Sequence, residues 1–458
     1  FKSIHSSSLP FTTTMRQRYG LFSLLFLLLC KPFISSSITT ATTVPPPFRL
    51  GIVGMVQDHI NDHINEATTV PPPFRLGIVG MVHDHINEAT YGLPSSLHRD
   101  DIHLVGIAES NKTIVQFYQT KYNLTHVHVF NTVEELLDVG KPTAVQVFTD
   151  IVSHESVTLA CAQRGVHVMV EKPLAVNVSQ AQNMERAAKE YGIELFVNYI
   201  TTWYPSTHYM YNTFRNEPST FGPLRKATFR TGHFGTKEIG CNPWMVEMDM
   251  DPTRSGGGAL MCFASYGLSI MTALVNVTAP TCVSATTRHF KTDPVYANVE
   301  DDATLLVQYA RKGVEEWGGS VPSDTAQDWL ASATVAPSWN WPWNRKDMDV
   351  NGVTGVLSSL TDAPETVVSV RSGWSRTGPT PNLMHAPALN APYDNPLTYL
   401  IAAAAAAVNS KNNNINNTLL DPNELSVILS SLELSMKVQE AIAMAYESAS
   451  KGGTKVCQ

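Results

Sequence analysis

Short apolar runs alternate with longer amphipathic stretches between residues 74 and 200. The apolar runs predict buried strands, and the periodic stretches between them predict helices. Such an alternation specifies a parallel sheet with helices on both faces, so an α/β fold with a doubly wound sheet is expected. The predicted strands cover residues 74–80, 103–108, 127–130, 144–148, 166–170 and 193–197. The predicted helices cover a stretch after residue 80 and residues 112–122, 132–137, 153–164 and 179–191.

The pattern changes after about residue 220, where strand-like runs dominate. Helices are expected near residues 259–275 and 424–448, and the alanine run at 402–407 is a strong helix former. We therefore divide the chain into a domain at 74–200 and an α+β domain at 201–458 with a mostly antiparallel sheet. The predicted strands of the second domain cover residues 225–231, 281–290, 303–309, 332–335, 349–350 and 366–370.

The N-terminal residues 1–37 are predicted to be a leader that contains a signal peptide starting at Met15. Two arginines follow Met15, then an apolar run at 21–30 and three serines at 35–37. A membrane anchor needs roughly 20 apolar residues, and this run is shorter, so no stable anchor is expected. The secretory pathway is the expected location.

Residues 38–73 are predicted to be a disordered segment that carries one copy of a duplication. Residues 41–57 and 67–83 differ only at Gln57 and His83. A nucleotide-binding sheet has one place for its first strand. We assign the second copy to that strand, because a helical stretch and a second strand follow it directly.

Composition restricts the function. The chain has 458 residues and a formal charge of −8, which gives no electrostatic footprint for nucleic acid. Five of the six cysteines follow the leader, and none forms a Cys-x-x-Cys pair, which argues against a disulfide scaffold and a zinc cage. One disulfide can form, and the sequence does not determine which two cysteines it joins. Glycosylation sequons begin at Asn111, Asn123, Asn177, Asn276 and Asn416.

The turn after the first strand is a candidate dinucleotide site. Gly80 supplies the first glycine of a Gly-x-Gly-x-x-Gly pattern, whereas Val82 and His85 occupy the other two positions. Glu109 ends the second strand, where an acid binds the ribose hydroxyls and repels a 2′-phosphate, so NAD is preferred and NADP is possible. No further ligand completes a metal site with the turn's histidines, and no metal is predicted. The turn residues assigned to the cofactor are Gly80, Met81, Val82 and His83.

A second group of candidates combines an acid, a base and a phenol. Glu171 and Lys172 end the fifth strand, where open α/β sheets bind ligands. Three glycines at 256–258 precede an apolar helix on which Cys262 and Tyr266 share one face. A nearby ammonium favours a phenolate, so Tyr266 beside Lys172 is a workable acid–base pair.

Four motifs together resemble the glucose-fructose oxidoreductase/inositol dehydrogenase/rhizopine catabolism (Gfo/Idh/MocA) family. The resemblance spans about residues 74–455 and implies a Rossmann domain followed by a substrate and oligomerisation domain with an open, mostly antiparallel sheet. It also implies NAD(P)-dependent chemistry on sugars and cyclitols, and a homo-oligomer. The motifs are Thr-Asp-Ile-Val-Ser-His at 149–154, Glu-Lys-Pro at 171–173, Gly-Pro-Leu at 222–224 and Gly-Gly-Gly at 256–258.

The resemblance also implies roles for single residues. Lys172 matches the lysine that contacts both substrate and nicotinamide. Most members have Asp where Cys262 stands and His where Tyr266 stands, although some have Tyr at the second position. Cys262 is thus a departure. Further cofactor contacts are assigned to Thr149, His154, Glu171 and Lys172, and substrate contacts to His233, Trp244 and Cys262.

The leading hypothesis is an NAD(P)-dependent oxidoreductase that removes hydride from a CH–OH group of a sugar or polyol. Tyr266 accepts the hydroxyl proton, Lys172 holds the oxygen and lowers the pKa of the phenol, and Glu171 orients Lys172. One alternative is a catalytically silent protein that binds NAD(P) as a sensor, motivated by Val82 and Cys262. Another is an NAD-assisted glycosidase.

Overall fold

Six parallel strands form the first sheet of the computed structural model of this chain. The described residues are 72–310, 329–360, 365–411 and 420–458. The leader, the signal peptide, nearly all of the predicted disordered segment and the Asn416 sequon lie outside them. The strands are β1 Phe74–Val79, β2 Ile102–Ala108, β3 Val129–Phe130, β4 Ala144–Val147, β5 His167–Glu171 and β6 Leu195–Asn198.

The spatial order of this sheet is β3-β2-β1-β4-β5-β6. This is the order of a doubly wound Rossmann sheet, so the predicted fold class is confirmed for the first half of the chain. The chain reverses direction across the sheet between β1 and β4. Ligands bind in such folds at the carboxyl ends of the two strands that flank the reversal.

Most helices of the first half begin and end close to their predicted positions. Thr132 and Glu135 form the expected capping box. The stretch after β1 differs, because only a single 3-10 turn at Asp84–Asn87 follows it and a new helix starts after Gly92. The helices are Leu93–His98, Lys112–Tyr122, Val133–Glu135, His154–Ala162 and Val178–Tyr191, with a π-helical turn at Leu136–Gly140.

Nine strands form the second sheet, in the order β14-β13-β12-β11-β7-β10-β9-β8-β15. Among the strands that the structure describes, only β7 and β10 of this sheet pair in parallel, so the predicted mostly antiparallel sheet is confirmed. The prediction missed β12, β14 and β15, the last of which has two residues. The strands are β7 Leu224–Gly232, β8 Cys282–Arg288, β9 Asp302–Ala310, β10 Trp329–Ser338, β11 Arg345–Gly352, β12 Gly355–Ser359, β13 Val367–Ser372, β14 Asn382–His385 and β15 Val456–Cys457.

The second half also contains more helices than predicted. The helix expected at 424–448 is broken at Ser431, whose hydroxyl accepts from the Leu434 amide and starts a new helix. The helices are Pro205–Asn216, Pro218–Phe221, Pro243–Asp249, Pro252–Ser255, Ala259–Leu274, Pro396–Lys411, Leu425–Ser430 and Leu432–Ser450.

The Ala259–Leu274 helix is the centre of the second half. All of its residues are buried, which explains why it is apolar on every side. The segment Pro252–Leu274 is long and apolar enough to cross a membrane, yet its apolar window is 100% buried within this fold, as a core helix is.

The Pro396–Lys411 helix belongs to the second domain by sequence but packs against the first. Leu397, Leu400 and Ala403 pack in the same apolar cluster as Leu76 and Ile78 of β1. This helix therefore covers one face of the Rossmann sheet, although it comes late in the chain.

Cys282 and Cys457 form a disulfide between β8 and β15. The sequence left the partners of the possible bridge open. Cys161, Cys241 and Cys262 are free thiols.

Candidate active site

A cavity of about 490 Å³ lies at the carboxyl ends of β1 and β4. This is the position that the strand order predicts for a nucleotide. Four predicted cofactor residues line it: Gly80, Val82, Glu109 and Thr149. Met81 and His83 are buried beside it, with 1% and 2% of their surface exposed.

Gly80 allows β1 and β4 to approach each other at the floor of this cavity. Its φ angle is +76°, and an added Cβ would lie 2.4 Å from Thr149 Cγ2 and 2.9 Å from the Thr149 backbone. Glycine is therefore required here both by backbone conformation and by space.

Glu109 lies where the sequence placed it, at the end of β2 and in the cavity wall. Its carboxylate accepts from the Met81 amide at 3.0 Å and from the Asn111 amide at 2.8 Å. These bonds hold the two oxygens in place beside the turn. A carboxylate fixed in this way suits the ribose hydroxyls of an adenine nucleotide.

The charges in the cavity fit NAD better than NADP. Glu109, Asp150 and Glu247 contribute three carboxylates to the lining, against the single guanidinium of Arg254. A 2′-phosphate would meet an excess of negative charge. The lining thus favours the 2′-hydroxyl of NAD over the 2′-phosphate of NADP.

Lys172 joins the two halves of the chain. Its side chain follows β5 and is 3% exposed. The Nζ donates to the backbone carbonyl of Cys262 at 3.0 Å and lies 3.3 Å from the Cys262 Sγ. Burial opposes the charged form, but Cys262, Asp249 and Glu171 offset it, so the pKa of Lys172 lies above its usual value. Lys172 is a buried ammonium.

The predicted lowering of the Tyr266 pKa is wrong. The side chain is 1% exposed, and burial, followed by the charge of Glu171, raises the pKa of Tyr266 well above its usual value. The Lys172 Nζ lies over the ring, 5.8 Å from its centroid, and donates to Cys262 instead. Tyr266 is therefore a neutral phenol, which can donate a hydrogen bond but does not serve as a base near neutral pH.

A carboxylate whose charge acts on Lys172 comes from Asp249, a residue that no motif indicated. Burial raises the pKa of the Cys262 thiol to about 11, so Cys262 does not replace the acid of the family pattern. Asp249 ends the Pro243–Asp249 helix, is 4% exposed and accepts from Thr236 Oγ1 at 2.8 Å. Burial raises its pKa to about 6, and Lys172 is the main group that opposes this rise.

Lys346 is a second lysine of this site, half-buried, that the sequence analysis missed. It lies on β11 opposite Thr231, and its Nζ is 5.6 Å from the centroid of the Tyr266 ring. Burial, followed by the charge of Lys172, lowers the pKa of Lys346. The period of two along β11 was an available signal, because Lys346 is in register with the buried Met348 and Val350.

Glu171 positions the turn that follows Gly80 rather than bonding to Lys172. Its carboxylate accepts from Asn198 Nδ2 at 2.8 Å and lies 2.8 Å from His85 Nδ1. Trp203 Nε1 in turn donates to Asn198 Oδ1. The predicted orientation of Lys172 by Glu171 is thus limited to the attraction between their charges.

Glu171 also brings a third possible ligand to the two histidines of the turn. His83, His85 and Glu171 each place one such atom within 4.8 Å of the others. The sequence analysis lacked this third ligand, since Glu171 is 86 residues from His85. The 2.8 Å contact between His85 and Glu171 is a hydrogen bond, and the neighbouring Lys172 ammonium disfavours a cation at this position.

Two further histidines take different positions. His154 is fully buried beneath the turn after Lys172, with Nδ1 3.2 Å from the Leu174 carbonyl, and burial lowers its pKa to about 4. It supports that turn and is absent from the lining of the cavity. His233 packs edge-on against Phe263, at 5.0 Å between ring centroids, and Phe263 also lies below the Lys172 Nζ. His233 is therefore part of the Lys172 site.

Trp244 lies on the nucleotide side and not beside Lys172. Its ring is 5.1 Å from Phe117 and 6.0 Å from Tyr118, and it lines the cavity that contains Glu109. This position favours a cofactor contact over the predicted substrate contact.

Comparisons with known proteins support this arrangement. Residues 74–199 match the Gfo/Idh/MocA family, described as an oxidoreductase family with an NAD-binding Rossmann fold. For residues 74–199, this match confirms the predicted resemblance and the prediction of NAD. Trans-1,2-dihydrobenzene-1,2-diol dehydrogenase of Xenopus tropicalis is 26% identical over 220 residues, which are 48% of this chain and 61% of that protein. The pig enzyme of the same name is 24% identical over 46% of this chain and 58% of its own. The chain thus spans about three fifths of the length of these relatives.

Solved structures share the fold at lower identity. An inositol dehydrogenase homologue from Azotobacter vinelandii, complexed with NAD+, has a TM-score of 0.65 and 15% identity, with 85% of this chain and 98% of that chain covered. Aldose-aldose oxidoreductase from Caulobacter crescentus has a TM-score of 0.63 and 20% identity, with 84% and 100% covered. At this identity the likeness extends to the fold alone.

Proposed function

We propose that this chain, whose residues 74–199 match the Gfo/Idh/MocA family, is an NAD-dependent oxidoreductase acting on a CH–OH group of a sugar or polyol. The observation that carries the proposal is the position of Lys172. It ends a strand of the Rossmann sheet and bonds to Cys262 of the helix that follows the three glycines. One residue thereby links the nucleotide-binding half to the half expected to hold the substrate.

The substrate class is inferred from the relatives and from the charges of the site. A dihydrodiol, an inositol and an aldose appear in the names of the similar proteins, and each carries CH–OH groups. The amino groups of the buried Lys172 and the half-buried Lys346 both lie over the ring of Tyr266. Such a site stabilises the developing negative charge on a hydroxyl oxygen.

The side chains divide the work as follows. Bound NAD supplies the hydride acceptor. Lys172 holds the substrate oxygen, and the neutral phenol of Tyr266 donates to a neighbouring hydroxyl. Asp249 is the group to which we assign the hydroxyl proton, because its pKa of about 6 leaves the carboxylate ionised at neutral pH. His233, which stays neutral because burial lowers its pKa to about 3, shapes the pocket wall.

The test is turnover of NAD with a panel of aldoses and cyclitols by the wild type and by Lys172→Met, Tyr266→Phe and Asp249→Asn. We expect Lys172→Met to lose at least about 100-fold in kcat, because removing one donor to a developing oxyanion typically costs that much. Lys189→Met is the control, because Lys189 forms a surface ion pair with Glu185 in the last turns of the Val178–Tyr191 helix. Full activity of Lys172→Met would refute the proposal.

Of the two alternative functions, the silent sensor has a supporting observation. The neutral Cys262 thiol in place of an acid favours a silent NAD-binding sensor, which would bind NADH without changing its absorbance with any sugar. An NAD-assisted glycosidase would release free sugar with no net NADH. Both outcomes are read from the same assay.

We also propose a secretory location, supported by the Cys282–Cys457 disulfide and by the exposed sequon residues Asn123 and Asn276. Mobility on a gel after endoglycosidase treatment tests it. A homo-oligomer stays a prediction, and light scattering of the purified chain measures it.

A further inference from the structure

The nucleotide cavity lacks an obvious partner for a pyrophosphate. Its lining carries the carboxylates of Glu109, Asp150 and Glu247, and a dinucleotide adds two more negative charges. Anions in Rossmann folds bind bare backbone amides at a helix N-terminus. Here that terminus is a single 3-10 turn, Asp84–Asn87.

The amides of the turn are engaged within the protein. The Gly80 amide donates to the Ala108 carbonyl at 2.8 Å, and the Met81 amide donates to Glu109. The Val82 and His83 amides both donate to the Phe148 carbonyl, at 2.9 Å each. Because Val82 replaces a glycine, the turn also carries a side chain where a pyrophosphate would approach.

Arg254 is the one cation in the described lining of this cavity. It belongs to the short Pro252–Ser255 helix before the three glycines, so it reaches the cavity from the second half of the chain. Its Nε and Nη2 donate to the two oxygens of Asp150, at 2.7 and 3.0 Å. Among the described residues its Nη1 makes no hydrogen bond.

We propose that Arg254 binds the pyrophosphate of the dinucleotide, with Asp150 as the residue that positions the guanidinium. The planar fork has five N–H donors and can serve a carboxylate and a phosphate together. Asp150 follows Thr149 at the end of β4, so the pair lies at the switch point of the sheet, where the nucleotide is expected. This inference rests on the proposed binding of NAD.

The simpler interpretation is a salt bridge that only ties the two halves together. Arg164 and Asp138 form a comparable fork, with bonds of 2.6 and 3.1 Å, on the surface of the Rossmann half. That pair is absent from the lining of the cavity, and its Asp138 side chain is 60% exposed against 19% for Asp150. Arg164 is therefore a matched control with the same geometry but no ligand.

The experiment compares ligands with and without phosphate. Binding of NADH, ADP-ribose and adenosine is measured by calorimetry for the wild type and for Arg254→Gln, Arg254→Lys and Arg164→Gln. We expect Arg254→Gln to weaken NADH and ADP-ribose by about 10- to 100-fold, as for a lost hydrogen bond to a charged group, with adenosine within about twofold. Arg254→Lys keeps the charge but loses the planar guanidinium, so its affinity for NADH and ADP-ribose should lie between those of the wild type and Arg254→Gln. Arg164→Gln should bind all three ligands as the wild type does.

Asp150→Asn separates binding from tethering. If Arg254 binds pyrophosphate, Asp150→Asn removes the competing charge but keeps one acceptor oxygen that can position the guanidinium, so ADP-ribose affinity stays unchanged or increases. If the pair is only a tether, Asp150→Asn and Arg254→Gln weaken all three ligands alike, which overturns the inference. Equal affinity of the wild type and Arg254→Gln for ADP-ribose also overturns it while NAD binding stands. A wild type that binds no NADH overturns the proposed function as well.

Discussion

Gly80→Ala gives a direct test of the cofactor turn. Gly80 has a φ angle of +76°, and its added Cβ would lie 2.4 Å from Thr149 Cγ2 and 2.9 Å from the Thr149 N and Cα. The side-chain methyl can rotate, but the backbone atoms cannot move without displacing the end of β4. The substitution therefore changes both conformation and packing.

The expected magnitude has two parts. A left-handed conformation costs a non-glycine residue about 1–2 kcal/mol, and inserting a methyl group into a packed site costs about 1–3 kcal/mol. We expect Gly80→Ala to destabilise the fold by about 2–5 kcal/mol. Gly165→Ala is the control, since Gly165 has a φ of +68° with no atom within 4 Å of the added Cβ, so it carries only the first part.

Urea denaturation followed by circular dichroism measures the difference between the two variants, and NADH titration measures the effect on the cavity. Replacing glycine by alanine lowers the conformational entropy of the unfolded chain equally in both variants, so this contribution to stability cancels in the comparison. Thr149→Ser in the Gly80→Ala background removes the Cγ2 contact and should restore part of the loss. If Gly80→Ala costs no more than Gly165→Ala, the close approach of β1 and β4 is refuted.

Three further predictions concern charge and covalent structure. Glu109→Gln should weaken the binding of NAD by about tenfold, because a charged partner of the ribose is lost. The preference of the protein for NAD over NADP should also become smaller, as measured by titration with both dinucleotides. Unchanged selectivity would contradict this role of Glu109. The folded-state pKa of Asp249 is raised from 3.8 to about 6, so the folded protein retains this proton and its stability falls by about 3 kcal/mol as the pH rises through that window. Asp249→Asn should abolish this fall, and an identical pH dependence of the urea midpoint in both proteins would disprove it. Cys457→Ser should lower the free energy of unfolding by about 2–5 kcal/mol, because the disulfide to Cys282 is lost. Reductant should lower the free energy of unfolding of the wild type by the same amount and leave that of the variant unchanged.

The order of strands and helices was readable from local patterns. Alternating apolar runs placed β1 to β6, and a single acid at the end of β2 located Glu109 beside the glycine turn. These features depend on neighbours in sequence. A strand buried on both faces must be apolar along its own length, whatever lies beyond it.

The chemistry of Lys172 depended on distant parts of the chain. The spacing of Cys262 and Tyr266 correctly put both on one helix near Lys172, yet it could not show that the ammonium donates to the Cys262 carbonyl and lies over the ring. Asp249 and Lys346 belong to no local motif, and both enter the site through the packing of the second half.

By itself, the sequence determined the Rossmann sheet, the mostly antiparallel second sheet and the residues at the end of β5. Only the tertiary structure decided the partners of those residues: Cys262 and Asp249 for Lys172, His85 for Glu171, and Asp150 for Arg254. The physical reason is how far apart in the sequence the interacting residues lie. Secondary structure follows from the burial of side chains at fixed local periods, whereas the pKa of a buried group depends on charges and desolvation supplied by segments that meet only when the two halves pack.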